Sequence, residues 1–476
     1  LSDPVISREL GLAILAGFSV LWLVLGWWWG RGAEGYEDRA VAGRSVGFAL
    51  GTATAMATWV TTNTTMTAPQ FAYQLGVWGM FGYSLAAIGL IAFAPLASRI
   101  KKLMPRGYTS GDFIRMRFGG PGWVVFLGIS FFYALGWLVS MGMAGGILLE
   151  SLTGIDYRVG MVTIIVVCTG YTMLGGLRAV IGTDFIQSIL ILVGLVIVGV
   201  AAFTTVSPSD VHAQLAEDRP ALLDLLAPAS IMFLFNQLLF GVGEIFHSNV
   251  WWSRAHAFRE DVGGRAFFWG GVLWLPVPVL AGSVALAAPI LGVDVPALDM
   301  VGPMVIGELL GKTGAVLILI VVISSLASSL DSLLAATSDL FVEDIYRRLI
   351  RPRASDEELR SASLWLIGAL GLLTIGLCWQ RLATLGEVLN LTGAFVASTI
   401  WPIAAGLYYR ATNARAATAA MVAGSAAGLA AYFTIGFFTA ALVSAAVSMV
   451  ITAVGSWAAP ARFDFTRLAG EEVGSG

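Results

Sequence analysis

Six oxygen-bearing side chains stand in one long apolar stretch: Ser324, Ser325, Ser328, Ser329, Asp331 and Ser332. Hydroxyls and a carboxylate at bilayer depth are costly unless something binds them. At about 100° per residue, Ser325, Ser328, Ser329 and Ser332 share one helical stripe. Such a stripe offers oxygen ligands to a hard monovalent cation. It also lets neighbouring helices approach closely, as small residues do in membranes. Asp331 in its midst favours the cation.

Three further segments carry chemistry. Thr58–Gln74 holds six threonines, Asn63, Gln70, Gln74 and Pro69 between apolar flanks. Proline lacks an amide donor, so an upstream carbonyl is freed. Broken backbone at membrane depth survives where it lines a cavity. This predicts an unwound segment whose carbonyls bind an ion and whose side chains face a solute. Phe235–Arg254 places Glu244 and His247 inside a span, with Gly241 and Gly243 flanking an expected break. An ionisable residue there marks a functional site by default, although a structural Glu–His or Glu–Asn pair is the plain alternative. Asp184 is the one acid of its span; it either pairs with Arg178 or joins Asp331 and Ser332 in a second oxygen site. Two unpaired carboxylates there require a cation, or one keeps a proton. Glu387, Asn390 and Thr392 form a weaker candidate wall near the outer end.

These residues need elements to position them, and the composition says which. The chain has 476 residues, is 57% hydrophobic and is only 12% charged, with a mean hydropathy of +0.82. Soluble domains carry about 25% charge. The chain is therefore read as an all-α polytopic membrane protein. Its net charge of −3 gives no reason to expect a nucleic-acid partner. Cys168 and Cys378, both in apolar runs, make neither a disulfide framework nor a thiolate metal site. No Walker loop, dinucleotide fingerprint, zinc spacing or catalytic triad is visible, so no enzyme is expected.

Apolar runs long enough to cross a bilayer recur thirteen times: near 9–29, 48–75, 78–100, 122–150, 158–174, 180–203, 224–252, 265–289, 303–342, 361–380, 385–409, 414–434 and 436–459. Arginine and lysine crowd into alternate loops, which puts the N-terminus outside and the C-terminus in the cytoplasm of a plasma (inner) membrane. An acidic loop at 204–224 divides two blocks of five spans, 46–203 and 224–409. Five is odd, so the second block is inverted relative to the first. Inverted repeats, each opening with a discontinuous helix, are a pattern of secondary transporters. The layout is then an extra helix and linker at 1–45, a transport core at 46–410, and two helices with a tail at 411–476.

Together these segments resemble the sodium:solute symporter family. The carriers are the run from Tyr171 through Gly175-Gly176 and Thr183-Asp184 to Gln187, the pair Ser328-Ser329 followed by Asp344-Ile345-Tyr346, and Trp252-Ser253-Arg254. The resemblance covers about 45–410 and implies a LeuT-type fold of five plus five inverted helices, with one extra helix before and two after. It implies a main sodium site at the carbonyls of Asn63, Met66 and Ser325 and the hydroxyls of Ser328 and Ser329. A second sodium or proton site is implied at Asp184, Ser328, Asp331 and Ser332; Asp331 departs from the small residues usual there. The sugar-binding polar set of the family is not reproduced, and the sequence looks more like its urea and polyamine transporters. Thr65, Gln70, Tyr73, Trp78, Gly241, Glu244 and Asn390 are the expected solute residues. Glu244 suits an amine or urea through charge-assisted hydrogen bonds. The expectation is a sodium-coupled symporter for a small polar nitrogenous solute (urea, an amine or an amino acid). Proton coupling in the same fold, or a non-transporting solute sensor, is the alternative.

Overall fold

Inside a bilayer every backbone polar group must find a partner within its own segment, and this chain does so with helices. The computed structural model describes residues 5–32, 35–295, 297–381 and 383–469, without the side chains of Thr62, Asn63 and Ala201. Among these residues the one β-type contact is an isolated bridge between Val46 and Phe258.

In order, the helices are α1 (Arg8–Gly30), α2 (Tyr36–Val41), α3 (Phe48–Trp59), α4 (Thr62–Leu75), α5 (Val77–Ser84), α6 (Ala87–Leu103), α7 (Ser110–Thr153), α8 (Tyr157–Thr205) and α9 (Pro208–Asp218). There follow α10 (Pro228–His247), α11 (Asn249–Ala257), α12 (Gly263–Trp274), α13 (Pro276–Ala285), α14 (Val301–Phe341), α15 (Asp356–Cys378), α16 (Leu385–Val396), α17 (Ile400–Tyr408), α18 (Ala414–Thr434) and α19 (Ala440–Ala458). One sequence of shapes occurs twice. A broken helix (α3/α4, then α10/α11) is followed by a helix interrupted near a leucine (α5/α6 at Leu85, then α12/α13 at Leu275). Long helices complete each set. This is the five-plus-five arrangement that the resemblance implies.

The breaks fall where the side chains dictate, and not where proline and glycine suggested. Pro69 lies inside α4, and the chain leaves the helix at Val60 (φ −79°, ψ 81°) and Thr61 (φ −84°, ψ 168°). Trp59-Val60-Thr61-Thr62 is bulky and β-branched, which disfavours helix. Thr61 then caps α4 in a reciprocal box with Thr64. Likewise α10 runs unbroken through Gly241 and Gly243 and ends at Ser248 (φ −67°, ψ 130°), whose hydroxyl accepts from the Val250 amide. The two glycines serve packing. A Cβ on Gly241 would lie 2.5 Å from Ala86 Cα, and one on Gly243 2.8 Å from Ala397 Cα.

Length and composition give eleven membrane-crossing helices among the described residues, against the thirteen expected. The difference falls at two places. α3 and α4 are each too short to cross alone, at 12 and 14 residues. α8 has 49 residues, about 74 Å at 1.5 Å per residue against a hydrocarbon core of about 30 Å. It turns at Gly176 (φ +56°), where a Cβ would meet the Arg39 carbonyl at 2.9 Å. Only glycine adopts that backbone freely.

Candidate ion and solute site

The serine stripe of α14 is buried throughout and faces the break between α3 and α4. Ser325, Ser328 and Ser332 are fully buried and Ser329 nearly so. Ser329 donates to the Thr58 carbonyl and the Ser325 carbonyl, each at 3.0 Å. Ser325 donates to the Val322 carbonyl at 2.9 Å. The carbonyl next to the stripe is therefore that of Thr58, at the end of α3. The unwinding at Val60 explains this: the last carbonyls of a helix lack intrahelical partners and turn to their neighbours. Asn63 and Met66 lie beyond the break, in α4. Trp59, next in line, has its carbonyl taken by the Trp274 indole at 2.5 Å and the Thr64 hydroxyl at 3.1 Å.

One turn further along α14 is a charged cluster. Asp184 is fully buried on the second half of α8. Its Oδ1 accepts from Ser328, and its Oδ2 accepts from Thr54 at 2.5 Å and Thr58 at 3.2 Å. Into this group reaches Arg254 of α11, also fully buried. Its Nη2 donates to Asp184 Oδ2 at 3.1 Å, Thr58 Oγ1 at 2.6 Å and Ser332 Oγ at 2.7 Å. Its Nε donates to Thr54 Oγ1 at 3.0 Å, and Nη1 to the Val250 carbonyl at 3.1 Å. Asp184 thus pairs with Arg254, while Arg178 is 3.5 Å from Asp38. Although it follows an apolar run near a charged loop, Arg254 is a core residue.

Asp331 points elsewhere. Its Oδ2 accepts from the Tyr171 hydroxyl at 2.8 Å, and its Oδ1 is buried with no hydrogen-bond partner among the described residues. Tyr171 also donates to the Ala327 carbonyl at 2.9 Å. Asp184 and Asp331 are on facing helices but do not share a ligand set: Ser332 serves Arg254 and Asp331 serves Tyr171.

The second acidic centre is aromatic. Glu244, nearly buried, accepts from the Tyr133 hydroxyl and from the Trp251 indole, at 3.2 Å to Oε1 and 3.1 Å to Oε2. Trp251 stands edge-on to Trp59, with centroids 5.6 Å apart. Trp137 and Trp274 lie 5.9 Å and 5.7 Å from the same Trp59 ring. The indole N–H groups of Trp59 and Trp137 are buried without an acceptor among the described residues. A carboxylate and two unused donors in an aromatic enclosure can match a small solute that both accepts and donates. The sequence reading named Glu244 but none of the four tryptophans nor Tyr133. They come from four separate helices, α3, α7, α11 and α12, and only Tyr133 and Trp137 share one, four residues apart.

The other expected solute residues scatter. Tyr73 receives a hydrogen bond from Arg219 at 2.9 Å, and the guanidinium stacks 4.5 Å from its ring. Trp78 donates to the Leu225 carbonyl at 2.7 Å. Both belong to the loop side and not to the buried centre, because amphipathic aromatics on a helix end seek polar partners there. Gly241 is a packing contact, as described above. Asn390 is buried and accepts from Asn236 at 3.0 Å and Gln237 at 3.1 Å. Gln70 is buried, its Nε2 3.5 Å from Thr384 and its Oε1 without a partner among the described residues. Thr65 is buried in α4. Glu387 caps α16 in a box with Thr384, and Thr392 donates to the Leu389 carbonyl at 2.7 Å.

A profile of the sodium:solute symporter family matches residues 40–424. The chain belongs to that family. It is 28% identical to the urea-proton symporter DUR3 of Oryza sativa subsp. japonica, over 91% of this chain and 66% of that protein. It is 26% identical to the urea active transporter of Saccharomyces cerevisiae, over 87% and 61%. It is also 26% identical to the osmoregulated proline transporter OpuE of Bacillus subtilis, over 86% of each chain. The alignments thus span a little under two thirds of the length of the two urea transporters. Among solved structures, a sodium-coupled sialic acid symporter in a substrate-bound outward-open state superposes with a TM-score of 0.80. It covers 95% of this chain and 99% of its own at 19% identity, a likeness of fold. A nucleobase-cation-symport-1 family transporter follows at 0.57 and 16%, over 90% and 96%.

Proposed function

We propose that this symporter imports a small polar nitrogenous solute, with urea first among candidates, coupled to sodium by alternating access. The observation that carries the reading is the Ser329 hydroxyl held between the Thr58 carbonyl and the Ser325 carbonyl. That junction joins the broken helix to the straight one, and it gathers neutral oxygens. Sodium would take the Thr58 and Ser325 carbonyls with the Ser328 and Ser329 hydroxyls. Thr58 replaces the Asn63 and Met66 carbonyls of the sequence reading. Neutral oxygens in an adaptable frame suit a monovalent ion that must also leave. Bound sodium would fix α3 against α14 and so favour one state of the cycle. A gradient drives transport only through such a preference. The solute would bind at the break, between Glu244 and the indoles of Trp59 and Trp137. Glu244 accepts its N–H groups, and the indoles donate to its carbonyl or carboxylate. We further propose a plasma-membrane location with the N-terminus outside and the C-terminus cytoplasmic.

The test is the melting temperature of the purified chain in sodium against potassium, at fixed ionic strength and pH. A ligand of the folded state alone raises it by mass action. The expected result is a sodium-specific rise, increased by urea and lost when Ser328→Ala and Ser329→Ala are combined. Equal melting in the two ions removes sodium from the reading. Proton coupling is the second reading. It is favoured by Glu244, whose hydrogen-bond donors among the described residues are both neutral. Uptake flat in sodium and driven by an imposed pH gradient selects it.

A further inference from the structure

We infer that Arg254 is the resident cation of the Asp184 cluster and closes that cluster to a second coupling ion. The inference rests on the reading of cation coupling above. The cluster has the oxygen set a second monovalent ion would need: Asp184, Ser328, Ser332, Thr54 and Thr58, all buried. Yet the guanidinium already uses it. Thr58 Oγ1 and Thr54 Oγ1 accept from Arg254 and donate to Asp184 Oδ2. Ser332 Oγ accepts from Arg254 at 2.7 Å and donates to the Ser328 carbonyl at 2.7 Å. Each hydroxyl thus turns a lone pair to the guanidinium and its hydrogen to an acceptor. A hydroxyl binds a metal ion through the same lone pair. Asp184 is already ion-paired with Arg254 at 3.1 Å, so a further cation at these oxygens would face the guanidinium.

Arg254 is held in this position by its own helix. α11 starts at the Ser248 break and is anchored at Asn249, whose Oδ1 accepts the Ser110 amide at 2.9 Å and whose Nδ2 donates to the Ala336 carbonyl at 2.8 Å. The guanidinium is therefore a tethered ion, fixed between α3, α8 and α14. The sodium junction shares Ser328 and Thr58 with this cluster, but the Thr58 and Ser325 carbonyls and the Ser328 and Ser329 hydroxyls are not among the partners of the guanidinium and stay available. The protein then carries one mobile cation per cycle in place of two.

The test is equilibrium binding of radiolabelled sodium to the purified full chain in a potassium background. The expected count is about one ion per wild-type chain and about two for Arg254→Gln, because removing the guanidinium frees the Asp184 oxygens for a cation. Two ions on the wild-type chain overturn the inference, and so does an Arg254→Gln count equal to the wild-type count. No sodium on the wild-type chain with one on Arg254→Gln supports the inference while removing sodium from the proposed function. Where Arg254→Gln does not fold, Ser332→Ala decides. It is expected to keep the wild-type count, since Ser332 serves Arg254; loss of an ion from Ser332→Ala overturns the inference.

Discussion

Asp184 and Glu244 are both carboxylates buried at the centre of the membrane domain, and they are satisfied in opposite ways. Asp184 has a guanidinium and three hydroxyls about it. Glu244 has a phenol and an indole. Trp251 stands between the two centres, its N–H on Glu244 and its ring 6.0 Å from the Arg254 guanidinium. The difference separates fixed charge from exchangeable charge. A buried acid with a built-in partner is part of the scaffold. A buried acid with only neutral donors has capacity for a proton or for the N–H groups of a solute. The largest expected effect follows directly. Asp184→Ala leaves Arg254 buried without its acid and is expected to destabilise the chain by about 3–5 kcal/mol. Glu244→Gln leaves an acceptor for Tyr133 and Trp251 and is expected to lose only about 1 kcal/mol. Thermal unfolding of the two purified variants checks this. Equal losses would erase the distinction between the centres.

Activity is expected to rank the other way once folding is accounted for. Glu244→Gln should fold and yet lower urea uptake at least about tenfold, since a loss of about 1.4 kcal/mol in solute or proton binding has that effect. Uptake into proteoliposomes, normalised to folded protein, is the measurement. Full activity in Glu244→Gln would make Glu244 a structural acceptor like Asn390 and move the solute elsewhere among the aromatic residues.

How much of this could be read from sequence depends on whether the signal is local. The serine stripe was legible because one helix carries it with a fixed period. The inverted order of broken helices was legible from apolar lengths and loop charge. The positions of the breaks were not. Pro69 is tolerated inside α4, and Gly241 and Gly243 are tolerated inside α10, because close packing rewards them there. The signals that decide, Trp59 to Thr62 and Ser248, are β-branched crowding and capping, which a hydropathy scan ignores. Arg254 follows an apolar run near a charged loop, and nothing local marks it as a core residue. Arg117 is a second such case; it is buried and donates to the carbonyls of Gly406, Tyr409 and Thr412. Burial of an arginine depends on partners from distant segments, and spacing along one helix gives no hint of them.

The smallest expected effect sharpens the boundary of the solute site. Tyr73 and Trp78 share the polar-aromatic character that first marked them, but their partners are Arg219 and the Leu225 carbonyl, on the connecting segment between α8 and α10. They fasten that segment over α4 and α5. Trp78→Phe removes one hydrogen bond on an exposed edge, worth about 1 kcal/mol at most. Its KM for urea is expected to stay within about twofold of wild type, with a small loss in melting temperature. Trp59→Phe removes a buried indole N–H in the enclosure itself, and its KM is expected to rise well beyond that. If Trp78→Phe raised KM as much as Trp59→Phe, the solute would have to touch the connecting segment on its way to Glu244. The aromatic centre and that connecting segment would then be one continuous path instead of a site and its cover.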